Sequence, residues 1–143
     1  MSGWKTIVVG VDGSPGSRKA LSWAAAEAAG HGSDLIVVNV CEHTLLPPAG
    51  SVSVSERYVP DPSQRTADDL VQVIKEELGD EPPVFVQPVV KQGRPAKVLI
   101  EESADADLLV VGPRGHGGFV GLVLGSVSQH VAAYARCPVT VVR

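Results

Sequence analysis

The sequence predicts one α/β domain, an open five-stranded parallel sheet with helices on both faces. Three observations predict it. Short Val-rich runs are apolar without interruption, as strands covered on both faces are. Stretches with helical spacing of apolar residues separate these runs. Strands joined through helices need crossover connections, and crossovers make the sheet parallel. The 143 residues suffice for one domain spanning 1–143, with no internal repeat or linker. Aromatic residues make up only 4%, so Val, Leu, Ile and Ala must build the core.

The first strand is Thr6-Ile7-Val8-Val9, ending at Gly10. Ser14 or Ser17 is placed to cap the next segment, with Pro15 near its first turn. Leu21, Ala24, Ala25 and Ala28 then recur at helical spacing, and Gly30 is expected to stop that helix. Residues 34–40 (DLIVVNV) form the second buried strand. Residues 41–62 have no sustained period and are rich in proline and serine, which predicts a long surface loop. A helix is expected over 63–78, with Leu70, Val71, Ile74 and Leu78 inward and Asp68, Asp69, Lys75 and Glu76 mostly outward. Gly79 ends it. Residues 84–90 follow Pro82-Pro83 as the third strand, and Pro95 opens a short helix closing near Ala104. Leu108-Leu109-Val110-Val111 is the fourth strand. Val127, Val131 and Ala135 mark the last helix, and 138–142 the fifth strand.

Composition narrows the partners. A formal charge of −4 argues against a nucleic-acid backbone, whose neutralisation needs a basic face. No run of 18 apolar residues is present to span a bilayer, and the N-terminus enters a strand without a signal-peptide core. Cys41 and Cys137 stand apart with no Cys-x-x-Cys spacing, which fits a reducing cytoplasm.

In an open parallel sheet, ligands bind beyond the carboxyl ends of the strands, where the winding reverses. Two such loops stand out. The first is Gly10-Val11-Asp12-Gly13-Ser14, where Asp12 can accept bonds from ribose hydroxyls or close an Asx turn with Gly13. The second runs from 112 to 126. Glycine occupies 112, 115, 117, 118, 121 and 125, and Ser126 stands where a helix begins. Glycines let backbone N–H groups approach a phosphate, and a helix N-terminus adds donors with partial positive charge. Ser126 can offer its hydroxyl to the phosphate or to a bound metal ion. No Asp or Glu follows Asp107, and Arg114 is the fixed positive charge within the loop. A glycine-rich lid without a ligand is the alternative.

Other chemistries fit less well. The P-loop pattern fails because no lysine precedes Ser126, and glycines at 10, 13 and 16 have the wrong offsets for a dinucleotide fingerprint. His116 can either assist a phosphate or sit exposed in the loop. His31, His43 and His130 have no metal-ligand spacing, so no protein metal site is expected. Ser126 and His130 lie four apart, but no third group orients the histidine and G-x-S-x-G is absent. No catalytic residue is assigned.

Gly112-x-x-Gly115, nine residues, then Gly125-Ser126 resembles the G-2x-G-9x-G-[ST] ATP-binding motif of the universal stress protein family. The opening Ile7-Val8-Val9-Gly10-Val11-Asp12-Gly13-Ser14 and the closing Cys137-Pro138-Val139-Thr140-Val141-Val142 are similar to that family too, as is the element order. The resemblance implies a Rossmann-like fold of the nucleotide-binding α-hydrolase type, with strand order 3-2-1-4-5, and so brings the two loops side by side. It implies an ATP site, with Mg²⁺ arriving on the nucleotide. Gly10, Val11 and Asp12 would lie in the first loop, Asp12 on the ribose, and the backbone near Val40 beside adenine. Val111, Gly112, Arg114 and Gly115 would lie under the phosphates, with Gly125, Ser126 and Val127 closing over them.

Two functions remain open at this point. One is an ATP-binding stress regulator in the cytoplasm whose nucleotide state governs an unknown protein partner. The other is a slow ATP-hydrolysing or nucleotidyl-transfer enzyme, which would need a base or water-positioning carboxylate where only Asp12 can be placed. In the implied strand order the fifth strand is an edge. Its residues 139–142 are β-prone and uncharged until Arg143, which predicts a homodimer through 138–142.

Overall fold

The computed structural model describes residues 3–41, 62–113 and 125–143. Its elements run β1 (Thr6–Gly10), α1 (Pro15–His31), β2 (Asp34–Cys41), α2 (Pro62–Leu78), β3 (Val86–Gln92), α3 (Pro95–Ser103), β4 (Leu108–Val111), α4 (Ser126–Tyr134) and β5 (Val139–Val141). The strands form one sheet in the order β3-β2-β1-β4-β5, and every pairing is parallel. This is the expected α/β architecture.

The uninterrupted apolar runs are explained by two cores, one on each face. Ile7, Val9, Leu35, Val37, Leu108 and Val110 face α1 and α2, packing against Ala20, Leu21, Ala24, Ala28, Leu70 and Ile74. The alternate residues Val8, Val38, Leu109 and Val111 face the other way, against Val98, Leu99 and Val131 of α3 and α4. Strand side chains alternate between faces, so a strand with both faces buried has no polar position. Alanines on the inward face of α1 add little bulk between helix and sheet.

Several boundaries differ from expectation for local reasons. α1 continues through Gly30 and ends at Gly32, a left-handed C-cap with φ 68° whose N–H donates to the Ala28 carbonyl. That conformation favours glycine, whereas Gly30 keeps a helical one. β3 begins two residues late, at Val86. Its ladder starts where the Leu35 N–H donates to the Phe85 carbonyl at 2.9 Å, which leaves Val84 outside. Val71 is 39% exposed, at the margin of the α2 apolar stripe rather than within it. β5 is Val139–Val141, although the ladder's bonds extend from the Pro138 carbonyl to the Val142 N–H. The loop expected over 41–62 falls, from 42 to 61, outside the described residues.

α1 and α2 are joined at the surface. Nη1 of Arg18 lies 2.7 Å from Oε2 of Glu76 and 3.4 Å from Oε1 of Glu77. The Arg18 hydrogen bond, then that of Gln72, holds the Glu76 carboxyl below its ordinary range. A lowered carboxylate stabilises the fold above its unfolded pKa and loses that effect as pH falls through the folded one. The pair is therefore intact at neutral pH.

Candidate functional site

The strand order fixes where a ligand can sit. β1 and β4 are neighbours, yet their following helices, α1 and α4, cover opposite faces of the sheet. The chain parts between them at the carboxyl edge, and a cleft opens there. Gly10, Val11, Asp12, Ser17, Val38, Val40, Pro95, Leu99, Val111, Gly112, Val127 and Ser128 line it. Its volume is about 120 Å³, below the roughly 300–1,000 Å³ of clefts that enclose a whole drug-sized ligand.

The first loop is built by short-range bonds. Gly13 takes φ 85°, and Oδ1 of Asp12 accepts the Ser14 N–H at 2.9 Å, an Asx turn. Ser14 caps α1 by accepting the Ser17 N–H at 3.3 Å. The Ser17 hydroxyl accepts the Asp12 N–H at 3.2 Å and donates to the Ser14 carbonyl at 3.0 Å. Nδ2 of Asn39 donates to the Val11 carbonyl at 2.8 Å, which ties the loop to β2. Asp12 is thus held by one carboxylate oxygen and its own amide. It is the one ionisable group among the described lining residues.

The second loop is clasped at both ends. The Gly125 N–H donates to the Pro113 carbonyl at 2.7 Å, and the Ser128 hydroxyl donates to the Gly112 carbonyl at 2.6 Å. The two ends of the glycine-rich stretch, separated by eleven residues between Pro113 and Gly125, thus meet beside the cleft. α4 starts at Ser126 with Gly125 at its N-cap, which has no side chain to cap it, and its first turn carries the positive end of the helix dipole. The N-terminus of α1 faces the same edge. The α4 end favours an anion, whereas the α1 end is already capped by Ser14 and neighboured by the Asp12 carboxylate.

Gly112 has a structural reason of its own. A Cβ placed there would lie 2.9 Å from both the carbonyl carbon and oxygen of Gly16 and 3.2 Å from the Ser17 nitrogen. The glycine lets the end of β4 pass the first turn of α1.

Of the residues the sequence singled out, Gly10, Val11, Asp12, Val40, Val111, Gly112 and Val127 line the cleft together. Gly125 stands at its edge through the clasp. Ser126 is exposed and is not among the lining residues. Arg114, Gly115 and His116 lie outside the described residues. His130 lies against Tyr134, ring centroids 5.2 Å apart and the planes tilted by 42°. Ser17, Val38, Pro95, Leu99 and Ser128 also line the cleft and were not marked by sequence reasoning. Ser17 carried a signal as a possible cap. Leu99 carried none, since only the folded α3 brings it against Gly10, where a Cβ would meet it at 3.0 Å.

No group of three or more His, Cys, Asp or Glu suited to a metal ion occurs among the described residues. Nor, among them, is any helix long and apolar enough to cross a membrane. Cys41 and Cys137 are both free thiols, Cys41 buried.

Comparison with known proteins gives a consistent result. The model of the universal stress protein family matches residues 3–143. A universal stress protein of Mycolicibacterium smegmatis is 37% identical over 138 residues, covering 96% of this chain and 45% of that protein. The chain thus spans less than half the length of this and several other mycobacterial relatives. A universal stress protein of Thermus aquaticus is 34% identical over 142 residues, covering 98% of this chain and 99% of the relative. Among solved structures, a universal stress protein in complex with cAMP is 28% identical, with a TM-score of 0.65 over 99% of this chain and 98% of the other.

Proposed function

The chain belongs to the universal stress protein family, and on that premise we propose that it binds ATP in the cleft between the β1 and β4 loops as a stress regulator. The observation that carries this reading is the convergence of Asp12, Val40, Gly112 and Val127 on one cleft, beside a helix N-terminus with no side-chain cap. The structural relative with cAMP supports an adenine nucleotide as the ligand class. The family motif, filled at 112, 115, 125 and 126, favours ATP within that class.

In this reading Asp12 takes the ribose hydroxyls and the apolar wall of Val38 and Val40 lies against adenine. Gly112, Arg114, Gly115, His116 and the first turn of α4 surround the phosphates. The exposed Ser126 hydroxyl is free of the cleft wall and meets the phosphates or the Mg²⁺ they carry. Nucleotide occupancy would govern a protein partner. Two unpaired thiols suit the cytoplasm. Mass spectrometry under native conditions on the purified chain tests the reading: adenine nucleotide retained and ATP rebinding after its removal are expected. A stripped chain that takes up no ATP would refute it.

Catalysis is not expected to be efficient. Asp12 is the one carboxylate among the described lining residues; its Oδ1 accepts from Ser14 and this reading gives it to the ribose, so no described lining residue is placed as base for an attacking water. Turnover of Mg-ATP is expected far below the enzyme median of about 10 s⁻¹. A rate near that median would make the chain an ATPase.

A homodimer through β5 completes the proposal. Both sheet edges are strands, but they differ. β3 carries Pro88 and Lys91 within it, two features that discourage further pairing. β5 reads Val-Thr-Val and directs the N–H and C=O groups of Val139 and Val141 away from β4, as its ladder register requires. Sedimentation equilibrium at micromolar concentration should give about twice the 14.9 kDa chain mass. A single species at the chain mass would remove the dimer.

A further inference from the structure

We infer that Arg18 is a positioning residue for the nucleotide site, holding the Asp12 turn in place from a mount on α2; the inference rests on the nucleotide-binding reading above. Arg18 lies on α1, one turn beyond the Ser14 cap. Its Nε donates back to the Gly13 carbonyl at 3.3 Å. Its Nη1 donates outward to Glu76 at 2.7 Å and Glu77 at 3.4 Å. Glu77 accepts the Ser22 hydroxyl at 3.3 Å, and Glu76 accepts Nε2 of Gln72 at 3.3 Å. One guanidinium thus links the left-handed Gly13, next to the ribose-binding candidate, with the last turns of α2.

The chemistry requires arginine. A guanidinium presents donors in a planar fork, so one edge can serve a backbone carbonyl while another serves two carboxylates. The Gly13 carbonyl belongs to the same turn that Asp12 closes onto Ser14. Orientation of that peptide therefore sets where the Asp12 carboxylate points. The side chains of Arg18, Glu76 and Glu77 are 32%, 46% and 27% exposed, so the link lies at the surface, and Arg18 is not among the residues lining the cleft. It acts through Gly13 and Asp12 and does not touch ligand. α2 thereby gains a route to the site: any displacement of its C-terminal turns pulls on the Asp12 loop.

Calorimetry with ATP on the full chain tests this with Arg18→Ala, Arg18→Lys and the double variant Glu76→Gln/Glu77→Gln. Arg18→Ala and Arg18→Lys are both expected to raise Kd about three- to tenfold, and the double variant about two- to fivefold. Adding Arg18→Ala to the double variant should weaken binding no further than Arg18→Ala alone, because one linkage is being removed twice. Lysine retains the charge pairing without the second donor edge, so Arg18→Lys should keep the wild-type thermal midpoint while losing affinity. Wild-type affinity in Arg18→Lys, or a lowered midpoint with unchanged affinity in Arg18→Ala, would overturn the inference. Amide exchange without nucleotide separates this failure from failure of the ATP reading. Faster exchange at Asp12 and Ser14 in Arg18→Ala is expected even if the wild-type chain bound no ATP, and unchanged exchange there would refute the anchor.

Discussion

Asp12→Ala is expected to weaken ATP binding by roughly 10- to 150-fold, the equivalent of about 1.5–3 kcal/mol for hydrogen bonds to a charged group. The structure divides that loss into two parts. Oδ1 of Asp12 accepts the Ser14 N–H, so alanine removes the Asx turn as well as the carboxylate offered to ribose. Asp12→Asn separates the two, because an amide oxygen can still accept from Ser14 while the charge is gone. Asparagine should keep the thermal midpoint of the ligand-free chain and lose part of the affinity, whereas alanine should lower both. Loss of the turn bond alone costs about 0.5–1.5 kcal/mol of stability. Calorimetry beside thermal unfolding reads the two effects independently. If alanine left Kd unchanged in a folded protein, Asp12 would be a turn residue and the ribose would bind elsewhere.

The two roles open for Asp12 illustrate what the sequence can and cannot carry. The Asx turn was legible because Asp12-Gly13-Ser14 is a local pattern whose bonds span two residues. The strand runs and helix periods were legible for a similar reason: burial of both sheet faces leaves Val8 and Val9 equally apolar, and nothing in the remainder of the chain is needed to see it. The far wall of the cleft was not legible. Pro95 and Leu99 reach it only because α3 crosses to the face opposite α1, a consequence of strand order rather than of any spacing near residue 95. Two glycines in α1 show the same limit on a smaller scale. Gly30 and Gly32 are equivalent as letters, and the capping bond from Gly32 to the Ala28 carbonyl decides between them. At 112 the glycine read for phosphate approach has a second cause in the Gly16 backbone, which lies 96 positions earlier.

That second cause leads to the other large effect, Gly112→Ala. The added Cβ would meet Gly16 carbonyl carbon and oxygen at 2.9 Å, closer than real contacts allow. The obstacle is backbone in the first turn of a helix, not the tip of a side chain that can swing aside. The end of β4 or the start of α1 must shift, and forced overpacking of this kind costs about 1–3 kcal/mol. At roughly 2–4 °C per kcal/mol for a domain near this size, the thermal midpoint should fall by several degrees. Binding should fall as well, because the displaced segments carry the Asp12 loop on one side and the Gly112 carbonyl that receives Ser128 on the other. Gly30→Ala supplies the contrast. Beyond the adjoining backbone of its own helix, nothing lies within 4 Å of a Cβ there, and alanine within a helix is favoured over glycine by about 0.5–1 kcal/mol. The same chemical change should therefore destabilise at 112 and stabilise at 30, with ATP affinity lowered only at 112. Equal midpoints for the two variants would mean that the β4 end and the α1 turn are not in close contact, and that Gly112 serves the ligand alone.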